Sequence, residues 1–199
     1  MTRQISLALS AVTLFALVAA PPAHAGEPTT QLSGAIGRVL KAVEDPELKQ
    51  DTKAAERRTA VRNIAEDIFD FQETAKRALG PHWQQRSSQE RGQFVQAFTD
   101  LLESAYLTKI DLYSGEKVSY VGETTEGDQA VVKTRIITRQ GSEIPVDYRM
   151  HKVGDRWLAY DVIIEGVSLV SNYRAQFNKI IQASSFEGLM EKLRSRRGA

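Results

Sequence analysis

Residues able to carry metal, nucleophilic or acid–base chemistry are few in this chain, and their spacings match no reactive constellation. Cysteine is absent, and no two of the three histidines, His24, His82 and His151, stand at a ligand spacing such as H-x-x-x-H, so no metal site is expected. Serines are plentiful, but Gly166-Val167-Ser168-Leu169 departs from the G-x-S-x-G elbow in its missing second glycine, and Ser168 reads more simply as a helix cap. Gly34-Ala35-Ile36-Gly37 sits inside a helical pattern without the Lys-Ser or Lys-Thr of a phosphate loop, so neither a nucleotide nor any other cofactor is expected. Asp161 and Glu165 are the remaining acid–base candidates, because a cone-shaped sheet can host proton transfer on an inward carboxylate. Strict alternation puts both on the face opposite Tyr160. If Tyr160 points into a cavity they point away from it, and Asp161 is expected in an ion pair or hydrogen bond on the outer face. Tyr148 and Tyr160 should give their rings to the core and their hydroxyls to backbone groups.

The elements that must position these residues centre on Trp157 to Phe177. Its first half has strand composition, with Leu158, Tyr160, Val162 and Ile164 on one face and Trp157, Ala159, Asp161 and Ile163 on the other. At Glu165-Gly166 the apolar period lengthens from two to about 3.6, through Val167, Val170, Tyr173 and Phe177, so a strand passes into a helix over one glycine. Lys117 to Glu123, Gln129 to Arg139 and Ser142 to Val153 are three further strand-like runs, and the short links between them force an antiparallel meander. Pro145 suits an edge or a bulge.

Helices precede the sheet. Leu32, Ile36, Val39 and Val43 form one stripe, with Thr29 or Thr30 as cap and Asp45-Pro46 as break; Pro46 then opens a second helix carrying Ala54, Val61, Ile64 and Ile68. A third runs from Phe71 to Gly80, where glycine can turn left-handed and Pro81 forbids continuation. Ser87-x-x-Glu90 is a capping box for the longest helix, about 88–112, with Phe94, Phe98, Leu101, Leu102, Ala105, Tyr106 and Ile110 on a wide apolar face. After the sheet come a helix from Ser168 to about Gln182 and one from Phe186 to Arg194, entered through Ser184-x-x-Glu187. The expected class is α+β, a four-stranded antiparallel meander with helices packed on one side of a curved sheet.

The string W-x-x-Y-D-V-x-x-E-G-V-S-L-V-x-N-Y-R-x-Q-F, read over Trp157 to Phe177, resembles the signature of the MlaC-like (toluene-tolerance auxiliary) periplasmic phospholipid-binding proteins. Phe69-Asp70-Phe71, Ala75 to Trp83, Gln89 to Phe98 and Val146-Asp147-Tyr148-Arg149 extend the likeness over about residues 61–193. It implies an NTF2-like or cystatin-like sheet and a soluble shuttle carrying phospholipid between two membranes. The implied partners are an inner-membrane ABC transporter's lipid-binding subunit and an outer-membrane lipoprotein complex. It implies no catalytic residue.

Export fits. Met1–Ala25 has one basic residue, an apolar run from Ile5 to Ala20 and the small-residue site Ala23-His24-Ala25, which reads as a signal peptide cleaved before Gly26 and so as a periplasmic address. The run is shorter than the roughly 20 apolar residues that span a bilayer. Removing Arg3 with the leader leaves 26–199 formally neutral, and the one basic run, Arg194-Ser195-Arg196-Arg197, reads as a solvated tail, so nucleic acid is not an expected partner. Residues 26–199 suffice for a single α+β domain, helical over about 29–112, with sheet and last helices over about 117–194.

A cavity for acyl chains must be apolar and larger than a packing defect. The candidate lining is Val132, Ile136, Val146, Tyr148, Met150, Tyr160 and Val162 from the strands, with Phe98, Leu101, Tyr106, Val170, Tyr173 and Phe177 from the helices. Plain core explains each of these as well as a ligand does; the resemblance is what favours phospholipid or a related lipid. In that arrangement the long helix lies across the face holding Val146, Tyr148, Met150, Tyr160 and Val162. Each methylene moved out of water contributes about 0.8 kcal/mol, ample for two long chains. A small NTF2-like enzyme and an envelope adaptor without lipid are the rival readings.

Overall fold

The computed structural model describes residues 26–110 and 113–195, without the side chains of 107–110. The leader Met1–Ala25, Leu112, and Arg196 and Arg197 of the basic tail lie outside the described residues. Helices α1 (Glu27–Glu44), α2 (Ala54–Ile68), α3 (Phe71–Leu79) and α4 (Ser88–Ile110) lead into strands β1 (Lys117–Glu126), β2 (Gln129–Ile137), β3 (Glu143–Val153), β4 (Arg156–Ile164) and β5 (Val167–Ser168), followed by α5 (Leu169–Ala183) and α6 (Phe186–Ser195). The strands pair antiparallel in sequence order, so the expected four-stranded meander gains a two-residue fifth strand.

Register fixes which side chains share a face, because directly opposed residues point the same way. Val132 stands opposite Tyr148, Thr134 opposite Val146 and Ile136 opposite Ile144, and across the next ladder Tyr148 stands opposite Val162 and Val146 opposite Ile164. The β4 alternation expected above does not survive. Arg149 pairs with Asp161 but Met150 with Ala159, so Tyr160 is an extra, bulged residue. Past the bulge the parity flips: Trp157, Ala159, Val162 and Ile164 share the Tyr148 face, and Leu158, Asp161 and Ile163 the other. Pro145 lies on the interior strand β3 rather than at an edge, near the end of its ladder with β4, where its carbonyl accepts from Glu165 N at 3.0 Å.

Two clusters of buried side chains result. In one, Leu32 and Ala35 of α1 and Ile68 of α2 cover Ala130, Val132, Met150, Trp157 and Ala159 of the sheet. In the other, Phe94 and Phe98 of α4 pack with Ala75, Ala78 and Leu79 of α3, Phe177 of α5, and Phe186, Leu189, Met190 and Leu193 of α6. Here the structure corrects the sequence reading: α1, and not the long helix, covers that part of the sheet, and Phe98 turns to the helical cluster. The physical reason is that Phe94 and Phe98, four residues apart on α4, stack at 5.8 Å and both meet Phe177 edge-on, at 5.6 and 5.1 Å.

Several helix ends differ from expectation. Gly26, not Thr29 or Thr30, caps α1, and the Glu123 carboxylate accepts from Thr29 N at 2.9 Å and Thr29 Oγ1 at 2.6 Å, an acceptor that local sequence does not reveal. Pro46 lies in a turn, and a short 3₁₀ segment, Asp51–Lys53, precedes α2. Gly188 N bonds Ser185 Oγ, so Ser185 rather than Ser184 serves α6. The α4 capping box is as expected, with Ser87 N donating to Glu90 at 2.7 Å and Glu90 N to Ser87 Oγ at 3.2 Å.

Glu165 and Gly166 form the two-residue turn between β4 and β5, with φ of 50° and 82°. Positive φ at both central positions is what a type I′ turn requires. A Cβ on Gly166 would meet nothing within 4 Å, so the penalty for a side chain there is conformational alone. Gly166→Val is therefore expected to lower stability by about 1–3 kcal/mol, and Gly166→Asn by less, since Asn tolerates positive φ. Thermal melts check this; an unchanged melting curve for the valine variant would show that the turn relaxes freely.

Candidate functional site

The groups that could have done proton chemistry are tied into structural clasps. Asp161 is 3% exposed, and its carboxylate accepts from Ser168 Oγ at 2.6 Å, Val170 N at 3.0 Å and Arg149 Nη1 at 3.2 Å. Ser168 Oγ in turn accepts from Ser171 N, confirming it as the α5 cap. Tyr160 does not join Val146 and Tyr148, as expected from strict alternation; the bulge turns it under the Arg77 guanidinium, 3.9 Å above its ring, and edge-on to His151. Its hydroxyl reaches the Gln129 side chain at 3.2 Å rather than backbone. His151 bonds Asp70 at 3.0 Å, and His82 bonds Asn178 at 2.9 Å. Among the described residues no group of three or more His, Cys, Asp or Glu could hold a metal ion.

The thirteen candidate lining residues divide by burial. Phe98, Val132, Val146, Met150, Tyr160, Val170 and Phe177 are fully covered by protein. Leu101, Tyr106, Ile136, Tyr148, Val162 and Tyr173 are only partly covered, and so are Val118, Tyr120, Ile144 and Ile164 on the same sheet face as Tyr148. Leu101 and Tyr173 border the helical cluster, whereas Tyr120 and Tyr148 border the sheet cluster. Tyr106 is hydrogen-bonded to Tyr173; desolvation, then Tyr173's charge and that bond, push its phenol above the usual range. Leu101 and Tyr173 thus fringe one cluster and Tyr120 and Tyr148 the other, and none of the half-covered residues belongs to the buried interior of either.

Tyr148 has the most telling environment. Burial pushes its phenol up to about 12, with Tyr120 as the lesser cause, although its side chain is not closed off from solvent. The ring packs against the sheet cluster, and its residual exposure means that it is not covered on every side. The expected backbone partner for the Tyr148 hydroxyl is not found among the described residues. Tyr120, raised by desolvation as well, was missed by the sequence reading, because a bulge at Val121 interrupts the alternation of β1.

Residues 34–195 match the family model described as MlaC protein. The chain belongs to the MlaC family. A curated relative, the intermembrane phospholipid transport system binding protein MlaC of Haemophilus influenzae, is 24% identical over 151 residues, which is 73% of this chain and 70% of that protein. A phospholipid-binding protein from Ralstonia solanacearum, solved in complex with a phospholipid, superposes with a TM-score of 0.76 over 87% of this chain and 98% of that one, at 24% identity. The family's fold is thus the fold described above, and the signature read over Trp157 to Phe177 is its strand, bulge, turn and capped helix.

The depth of Tyr148 fixes a pH dependence. An unfolded tyrosine loses its proton near 10, whereas folded Tyr148 holds it to about 12, so its contribution to stability is intact below pH 10 and is lost as pH rises from about 10 to about 12. Tyr148→Phe is expected to flatten the fall of stability across that window, as read from denaturant midpoints. An equal slope in both proteins would show that the ring is solvated.

Proposed function

We propose that this protein is a periplasmic lipid-binding shuttle, carrying phospholipid between the outer and inner membranes as the soluble component of an ABC-type transport system. The observation that carries the reading is the half-covered apolar face around Tyr148, which borders the sheet cluster while the helical cluster stays separate. A single-purpose core would merge them. Membership of the MlaC family and the ligands named for its relatives point the same way. Residues 26–199 act in this reading as one α+β unit after cleavage behind Ala25, with the transporter's lipid-binding subunit and an outer-membrane lipoprotein complex as partners. Enzyme chemistry is disfavoured, because Asp161, Ser168, His151 and Tyr160 already have partners that hold them in place.

The acyl chains would lie on Ile136, Tyr148, Val162 and Ile164, with Leu101, Tyr106 and Tyr173 as candidate walls from the helices. Protein isolated from an envelope fraction is expected to yield phospholipid on organic extraction, detected by mass spectrometry. Val162 stands opposite Tyr148, and Val162→Trp should fill the space and reduce bound lipid with the fold kept by circular dichroism. In a filled core the same change would cost about 1–3 kcal/mol through overpacking. Stability lost with lipid content unchanged would make Val162 ordinary core.

A further inference from the structure

We propose that Tyr120 and Tyr148 form a hydrogen-bonding station inside the apolar cleft, which holds the ester carbonyl oxygens of a diacyl lipid and so registers where its chains begin. The inference rests on the carrier reading and specifies what that site recognises. Tyr148 stands opposite Val132 and Val162, and Tyr120 opposite Thr134, so both residues lie on one face of the sheet, on β3 and β1 with β2 between them, and both pack against the sheet cluster. Tyr120 is near enough to raise the Tyr148 phenol, after burial as the larger cause. Their neighbours on that face are mostly apolar; the Glu123 carboxylate there is committed to Thr29, and the hydroxyl of Thr134 to the Val146 carbonyl at 2.7 Å. Neither phenol hydroxyl has a hydrogen-bond partner among the described residues.

A donor left in hydrocarbon without an acceptor is costly, so the occupant of the cleft must present oxygen at this depth. Its charge can be argued as well. The nearest cations of β2 and β3, Lys133, Arg135 and Arg149, alternate to the opposite face, so the sheet offers no counter-charge to a phosphate beside the pair. Both phenols hold their protons through the physiological range and therefore present donors. An uncharged acceptor that carries no proton of its own completes such a pair, and the carbonyls of a diacyl glycerolipid sit two together at the head of the chains.

The test compares two lipids with one headgroup and equal chains, dipalmitoyl phosphatidylglycerol and its dihexadecyl ether analogue, which lacks the carbonyls. Delipidated native protein is expected to take the diester about five-fold in preference. The double variant Tyr120→Phe, Tyr148→Phe should take both alike, and Tyr148→Phe alone should lose part of the preference. The infrared ester-carbonyl band of bound diester should lie at lower frequency in the native protein than in the phenylalanine variants. Equal uptake of both lipids by the native protein, or a preference and band position that survive both substitutions, overturns the station and leaves the carrier standing. Native protein that takes neither lipid overturns both.

Discussion

The fold turns on one buried carboxylate. Asp161 lies where β4 has just been knocked out of alternation by Tyr160, and it gathers a hydrogen bond from the first turn of α5, a hydroxyl from the α5 cap and a guanidinium from β3. Removing its partners would leave the buried Asp161 carboxylate unsatisfied, which is why a group of this kind carries more stability than its individual bonds suggest. The clasp also fixes direction. The turn at Glu165 and Gly166 could send the chain on as a longer hairpin, and binding of Val170 N by Asp161 makes it begin a helix instead. Tyr173 and Phe177 then face α4, and Val162 and Ile164 come to lie on the Tyr148 face.

A second set of ties joins α3 to the same strand. Phe69 bridges to Ala159, Asp70 N donates to the Ala159 carbonyl, and Thr74 Oγ1 donates to the Tyr160 carbonyl, so the bulged stretch of β4 is gripped from the side as well as from its end. Arg174 of α5 closes the loop: its Nε donates to the Arg77 carbonyl at the end of α3, and its side chain lies against Gly80, whose φ of 57° admits the approach. Between α2 and α4 the tie is an ion pair, Arg62 to Glu103 at 2.7 Å. Polar clasps thus set the distance between the sheet and the helical cluster, and that distance is not left to the collapse of apolar surface.

Much of this was legible. The four long strands, the helix order, the capping box at Ser87 and the cap at Ser168 follow from local periodicity and local hydrogen bonding, which a sequence displays directly. The misplaced elements share another origin. Tyr160 was assigned to the Tyr148 face because a period of two carries no notice of an inserted residue; only the partner strand shows it. The α1 cap was sought at Thr29 because the actual acceptor, Glu123, is 94 residues away. Phe98 was placed against the sheet because an apolar stripe declares that it must be covered, not by what. Tyr120 escaped notice because its neighbour Val121 bulges outward and is 51% exposed, so that β1 does not look like a strand with a buried face.

A protein built to hold hydrocarbon faces a conflict that explains the division into two clusters. Empty apolar space costs about 24 cal/mol for each Å³ left unfilled, so a cleft wide enough for acyl chains cannot also be the principal source of stability. Here the buried aromatics among the helices form one core, and α1 seated on Ala130, Val132 and Met150 forms another at one end of the face whose remainder, about Tyr148, Val162 and Ile164, is only half covered. An interior of two cores joined by directional clasps at Asp161, Asp70 and Arg174 is held in shape by hydrogen bonds, where one continuous apolar core would close on itself.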